Sequence, residues 1–412
     1  MKYGCISEHL GHSFSKEIHN ALADYEYIIH EVAKDDLEAF AKGRDFLGIN
    51  VTIPYKELIM PYLDEIDEAA KKIGAVNTVV NREGKLFGYN TDFYGMSMLV
   101  KHAGIEVFGK KVAILGGGGT SKTANAVFTS LGAKEIIRVS RTKSADTVTY
   151  EELYREHSDI EIIMNTTPVG MFPNTEGMPI TLDSFERLSG VLDAVYNPLR
   201  TKLIEAAQER KIPASGGLYM LVAQAVRASE IFLGKDYPEG VLDAVYSKIL
   251  SEKENIVLIG MPASGKSTVG KILSEKLARE LVDSDSVIVE NNRMSIPDIF
   301  ERFGEAHFRI LESEAIAEIS KKTSAVIATG GGAILKEENI CRLRQNGRIY
   351  FLDRPLSSLI PTSDRPTASS KEMIEKRYNE RYGIYSSVCD KKIDSSVAPA
   401  AVAAAIIEDF CK

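Results

Sequence analysis

Gly260-Met261-Pro262-Ala263-Ser264-Gly265-Lys266-Ser267-Thr268 follows the apolar run Ile256-Val257-Leu258-Ile259 and opens the amphipathic segment Val269 to Leu277. That order reads as a strand, a phosphate loop and a helix start. Glycines let backbone N–H groups turn toward an anion at the positive end of the helix, Lys266 can reach the outer phosphates, and Ser267 offers its hydroxyl to Mg2+. Gly260, Gly265, Lys266, Ser267 and Thr268 are therefore the candidate nucleotide contacts, and a nucleoside triphosphate is the implied ligand. Four fixed positions in this flanking context separate the stretch from an ordinary glycine-rich turn. A phosphate-loop strand is normally the first strand of its own sheet, so the residues before it form another unit.

Working outward, 412 residues are too many for one core and suggest two or three domains, of which the loop at 260 favours two. A hydrophobic content of 44%, a charged content of 26% and a formal net charge of -8 fit a soluble globular protein and argue against nucleic acid or anionic membrane as partners. Cys5, Cys341, Cys389 and Cys411 are scattered, with no metal or disulfide pattern, which fits a reducing cytosol. No segment approaches a bilayer span and the N-terminus has no long apolar run. A cytoplasmic protein acting on small molecules is expected.

From Lys2 to about Leu99, short apolar runs such as Ile28-Ile29 and Phe46 to Val51 alternate with helix-like segments such as Asp35 to Lys42. Several loops there carry side chains suited to a polyol: Ser13-Phe14-Ser15-Lys16, Asn50-Val51-Thr52-Ile53-Pro54-Tyr55-Lys56, Ala75-Val76-Asn77-Thr78 and Asn90-Thr91-Asp92. Taken singly, each is better read as a cap or turn former. Their concentration ahead of a cofactor loop raises the functional reading.

That loop runs through Gly116-Gly117-Gly118-Gly119-Thr120-Ser121 after the apolar stretch Val112-Ala113-Ile114-Leu115, with a helical segment from Lys122 to Leu131. Its match to the dinucleotide fingerprint is partial, because Ser121 stands at the third glycine position. The next strand, Glu135 to Ser140, ends at Arg141-Thr142-Lys143. An NAD-binding unit carries an acid there for the ribose hydroxyl and an NADP-binding unit a cation for the 2′-phosphate. NADP is favoured.

These loops, with Asn165-Thr166-Thr167-Pro168-Val169-Gly170-Met171, Asp193-Ala194-Val195-Tyr196-Asn197-Pro198 and Gly217-Leu218-Tyr219-Met220-Leu221 ahead of Gln224, resemble shikimate dehydrogenase over roughly the first 250 residues. The resemblance implies substrate contacts at Ser13, Ser15, Asn50, Thr52, Asn77, Asp92 and Gln224, with Tyr196 near the substrate carboxylate. It makes Lys56 and Asp92 the catalytic pair. It also implies cofactor contacts at Gly116, Gly117, Gly118, Gly119, Thr120, Ser140, Arg141, Thr142, Thr166 and Gly217. In the family's reaction a hydride reaches the C3 ketone of 3-dehydroshikimate, and a nearby donor must supply a proton to the oxygen that gains charge.

Ser251-Glu252-Lys253-Glu254 is short, polar and free of Pro or Gly, so the two halves are expected to join without a long tether. Beyond the phosphate loop, Leu281-Val282-Asp283-Ser284-Asp285 reads as a strand end carrying two carboxylates that share one face of an extended backbone, one for Mg2+ and one for substrate. Gly304 to Arg309, Gly330-Gly331-Gly332, Asp364-Arg365-Pro366, and Arg377 and Arg381 on a helix follow in order. This set resembles shikimate kinase from about 254 to 412. The resemblance implies Ser267 and Asp283 for Mg2+, and Lys266 for the phosphates of ATP. It implies Asp285, Arg309, Gly330, Gly331, Gly332 and Arg381 for shikimate, with Asp285 as candidate base. Arg365 falls in a short lid over the phosphates, where Thr367-Ala368 stand in place of the expected leucines.

The expected fold is α/β throughout: a substrate-binding domain over 1–100 to which a helix within 217–250 returns, a Rossmann NADP domain over 101–216, and a phosphate-loop kinase domain with a parallel sheet over 254–412. The expected function is bifunctional, with NADP(H), ATP and Mg2+ as cofactors and 3-dehydroshikimate and shikimate as substrates; a homodimer is left open. Two other readings compete. One is a quinate/shikimate dehydrogenase joined to another small-molecule kinase, which Arg141 and the Asp285, Arg309 and Arg381 set disfavour. The other is a decayed ligand-sensing regulator, which would have lost Lys56, Asp92, Lys266, Ser267, Asp283 or Asp285.

Overall fold

Asn255–Ile259 is apolar after its first residue and buried at all five positions, as a strand covered on both faces must be. In the computed structural model, which describes residues 2–9, 13–359 and 370–411, the chain divides into two compact units, Met1–Ile249 and Leu250–Lys412. Ser251 to Lys253 of the polar join form the last turn of the helix Val241–Lys253, and Glu254 follows it.

The first unit contains two sheets. One is six-stranded: β1 (Tyr3–Ser7), β2 (Tyr27–Glu31), β3 (Gly48–Val51), β4 (Glu65–Ile66), β5 (Thr78–Arg82) and β6 (Lys85–Tyr89), in the order β2-β1-β3-β5-β6-β4. Its register sets Cys5 beside Asn50 and Asn50 opposite Thr78, which gathers polar side chains at the ends of the central strands. The helix Leu218–Leu233 packs against the helices Thr91–His102 and Ser15–Leu22, both of which follow strands of this sheet.

The other sheet has β7 (Lys111–Leu115), β8 (Glu135–Val139), β9 (Ile162–Asn165), β10 (Gly190–Asp193) and β11 (Ala214–Ser215) in the order β11-β10-β9-β7-β8, every pairing parallel. The chain leaves β7 for β8 on one side and returns to β9 on the other. The Gly116 loop therefore opens at the point where strand order reverses, the usual ligand crevice of such sheets.

The second unit is built on β12 (Asn255–Ile259), β13 (Glu280–Asp283), β14 (Ala325–Ala328), β15 (Gly347–Asp353) and β16 (Lys391–Asp394), in the order β13-β14-β12-β15-β16 and wholly parallel. The helix Lys266–Leu277 starts directly after Gly265. One local expectation is corrected: extended backbone ends at Asp283, which caps the helix Ser284–Asn292 by accepting from the Asp285 N–H at 3.0 Å. Asp is a preferred helix cap, so the strand stops at the first carboxylate and the second lies in the helix's first turn.

Candidate active sites

In the first unit, Asn90 caps the helix Thr91–His102 by accepting from the Phe93 N–H at 3.1 Å, which places Asp92 in the first turn, where the helix dipole favours a carboxylate. Lys56, on the short helix Tyr55–Leu58, donates to Asp92 Oδ2 at 2.6 Å. Both face a cavity of about 310 Å3 that is also lined by Ser13, Ser15, Asn50, Thr52, Asn77, Tyr196 and Gln224. The polar groups are fixed by one another. Tyr27 donates to Asn50 Oδ1 at 2.7 Å, Asn50 Nδ2 donates to Thr78 Oγ1 at 3.1 Å, and the Thr91 N–H donates to Asn77 Oδ1 at 2.7 Å. Burial pushes the Tyr196 phenol above its ordinary value and the Cys5 thiol up to about 12, so both are neutral walls of this cavity.

A second cavity, of about 660 Å3, is lined by Gly116, Gly117, Gly118, Gly119, Thr120, Ser140, Arg141 and Thr166. Gly116 has φ +116°, and a Cβ there would stand 2.7 Å from Thr166 Oγ1, so only glycine fits this turn. At Gly117, Gly118 and Gly119 a Cβ would meet no protein atom and would project into open space, the form of a cradle left clear for a ligand. Lys143 is tied to Glu152, whereas among the described residues Arg141 makes no ion pair. Lys56, Ile53, Thr120, Thr166, Thr167 and Pro168 line both cavities. Gly217 lines the Lys56 cavity and not the Gly116 one, and Thr142 lines neither. Thr167, Pro168 and Tyr150 were not assigned from sequence; the first two lie within a stretch that carried the resemblance, next to Thr166.

In the second unit, Lys266 Nζ donates to the carbonyls of Gly260 and Met261 at 2.8 and 2.9 Å, and Ser267 Oγ donates to Asp283 Oδ2 at 3.0 Å. The Ser264 hydroxyl is buried in the same loop and has no hydrogen-bond partner among the described residues. A cavity of about 280 Å3 adjoins, lined by Asp283, Asp285, Arg309, Gly330, Gly331, Gly332 and Arg381. The Arg309 guanidinium lies directly against Gly332, leaving no room for a Cβ. Arg381 donates to the Gly331 carbonyl at 3.0 Å, and Arg309 donates to Glu312 Oε2 at 2.7 Å and to Glu305 Oε1 at 2.9 Å. Glu312, 2% exposed and lining the cavity, was missed by sequence reading; its place three residues after Arg309 on one helix was the available signal. Burial pushes its carboxyl up, against the opposing pull of Arg309. Arg365 lies outside the described residues.

Comparison with known proteins bears on these sites. Residues 5–79 match the family model for the shikimate dehydrogenase substrate binding domain. A shikimate dehydrogenase (NADP(+)) of Clostridium perfringens is 37% identical over 265 residues, covering 60% of this chain and 97% of the relative. The chain belongs to the shikimate dehydrogenase family. Its shikimate dehydrogenase unit superposes on the crystal structure of shikimate dehydrogenase 1 from Peptoclostridium difficile, with TM-score 0.56 and 36% identity over 60% of this chain and 98% of that one. A chorismate mutase/shikimate 5-dehydrogenase fusion protein from Clostridium acetobutylicum gives TM-score 0.57 and 32% identity, covering 60% of this chain and 96% of the other. Residues 262–411 match the shikimate kinase family model, so a shikimate kinase domain follows the shikimate dehydrogenase in one chain.

Proposed function

We propose that the chain catalyses two consecutive steps, NADPH-dependent reduction of 3-dehydroshikimate to shikimate and ATP-dependent phosphorylation of shikimate to shikimate 3-phosphate. The observation that supports it most is Lys56, which lines both the polyol cavity and the glycine-loop cavity while paired with Asp92.

The Gly116 to Thr120 turn, Ser140, Arg141 and Thr166 would hold NADP(H), with Arg141 opposite the 2′-phosphate. When bound, that cofactor supplies or accepts the hydride. Lys56 and Asp92 hold a proton between Nζ and Oδ2 and deliver it to the C3 oxygen as charge develops there. A desolvated pair facing a reacting oxygen contributes several kcal/mol to the transition state, against about 0–1 for an exposed pair. Asn50, Asn77 and Gln224 orient the ring hydroxyls. Tyr196, Ser13 and Ser15 receive the carboxylate end.

In the kinase domain the hard oxygens of Ser267 and Asp283 would hold Mg2+, and the buried Ser264 hydroxyl and Lys266 suit phosphate oxygens. Asp285 accepts from the 3-hydroxyl of shikimate and aims it. Arg309 and Arg381 receive its carboxylate in planar forks, and Glu312 holds Arg309 in place. Three domains fit this division of labour: substrate-binding over 1–100 with the returning helix from 217–250, cofactor-binding over 101–216 and kinase over 254–412. A cytoplasmic location with small-molecule partners fits the absence, among the described residues, of a helix long and apolar enough to cross a membrane.

The test is to give the full chain shikimate with NADP+, and separately shikimate with ATP and Mg2+. Turnover in both supports the reading, and failure of either retires that half.

A further inference from the structure

Asn165 and Asp193 stand at the ends of the adjacent parallel strands β9 and β10, fully buried and outside the walls of both cavities. Asn165 Nδ2 donates to Asp193 Oδ1 at 2.9 Å. Asn165 Oδ1 accepts from the Thr167 N–H at 3.0 Å and the Thr167 hydroxyl at 2.7 Å. Asp193 Oδ1 also accepts from the Val195 N–H at 2.9 Å, and Oδ2 from the Thr201 hydroxyl at 2.7 Å. Thr167 walls both cavities, and Val195 leads into Tyr196, which walls the polyol cavity.

We propose that Asn165 and Asp193 are a positioning brace for the dehydrogenase site, setting Thr167 and the Val195-Tyr196 segment in register with one another. The inference rests on the reading of the two cavities as that site. Its second support is energetic. No cation pairs with Asp193 among the described residues, and burial raises its carboxyl to about 6. A buried carboxylate answered only by neutral donors costs stability that an apolar pair of the same size would not. The bonds of Asn165 and Asp193 run to the two segments that meet at the cavities.

The test uses the full chain. Asn165→Ala removes the single Oδ1 acceptor of both Thr167 donors, together with the Nδ2 donor to Asp193, and should raise the KM for NADP+ and for shikimate roughly tenfold, as expected for lost hydrogen bonds of which one runs to a carboxylate, with kcat changed less than about threefold. Asp193→Asn keeps Oδ1 as acceptor for Asn165 and Val195 while the Thr201 hydroxyl turns to accept, so it should stay within about threefold of wild type, unlike Asp193→Ala. Unchanged KM values in Asn165→Ala, or an Asp193→Asn variant as impaired as Asp193→Ala, would overturn the brace. Should Asn165→Ala fail to fold, Asn165→Asp decides. It sets two carboxylates together and should raise both KM values, and adding Asp193→Asn should recover the KM for NADP+; no recovery overturns the proposal. A wild-type chain without NADP-linked shikimate oxidation defeats the underlying reading, whereas an active wild type with an unaffected Asn165→Ala variant defeats the brace alone.

Discussion

Lys56 Nζ lies 2.6 Å from Asp92 Oδ2, with the two side chains only 16% and 9% exposed. Lys56→Ala and Asp92→Ala should each lower dehydrogenase kcat by roughly 10²-fold or more, because the lost group acts on the reacting oxygen. NADP+ affinity, read by direct titration, should persist. Unchanged turnover in both variants would remove the pair from the mechanism.

Arg141 faces the glycine-loop cavity while its neighbour Lys143 is tied to Glu152. Arg141→Asp should move the preference from NADP+ toward NAD+, since it replaces a phosphate-binding cation with an acceptor for a ribose hydroxyl. Lys143→Ala should leave the preference nearly as it was. The ratio of kcat/KM for the two cofactors is the measurement, and a wild type already favouring NAD+ would contradict the assignment.

Glu312 fixes Arg309 beside the Asp285 cavity. Glu312→Gln weakens a charge-assisted bond and should raise the kinase KM for shikimate roughly tenfold while the KM for ATP holds. Equal changes in both would point to a general loss of structure.

His19 is fully buried, stacks on Tyr27 at a centroid distance of 3.9 Å, and shares a 2.6 Å bond between Nδ1 and the Tyr25 hydroxyl. Burial lowers its pKa from the ordinary 6.5 to about 3. The unfolded chain therefore takes a proton at His19 that the folded chain refuses, and stability falls as pH drops from 6.5 toward 3, by up to about 1.4 kcal/mol per pH unit. Denaturant unfolding of wild type and His19→Asn between about pH 4 and pH 6 should show the shallower slope in the variant; equal slopes would contradict it.

The nucleotide loops were the most legible parts of the sequence, because backbone geometry dictates glycine at positions such as Gly116 and a phosphate loop tolerates few alternatives. The polyol residues were legible only as an ordered set, since Ser, Asn and Thr cap helices everywhere. The strand expected through Asp285 failed for the same reason in reverse: Asp283 is itself a helix cap. What sequence could not disclose were groups whose role comes from tertiary placement. Tyr27 looks like an ordinary core residue until the fold sets its hydroxyl on Asn50, and Asn165 and Asp193, although they stand in stretches that carry the resemblance, have no legible partner until the fold bonds them to one another. The polar composition of Ser251 to Glu254 does not disclose that Ser251 to Lys253 complete a helical turn, or that the carbonyls of Ser251 and Glu254 accept from Arg279.

The central claim is that one chain carries both consecutive activities, and a coupled assay tests it most directly. Full-length protein receives 3-dehydroshikimate, NADPH, ATP and Mg2+, and the products are resolved over time. The account predicts NADPH oxidation accompanied by shikimate 3-phosphate, with Lys56→Ala slowing both from 3-dehydroshikimate by roughly 10²-fold or more but leaving phosphorylation of added shikimate intact. Shikimate that accumulates without phosphorylation, or phosphorylation of added shikimate with no NADPH oxidation by wild type, would contradict it.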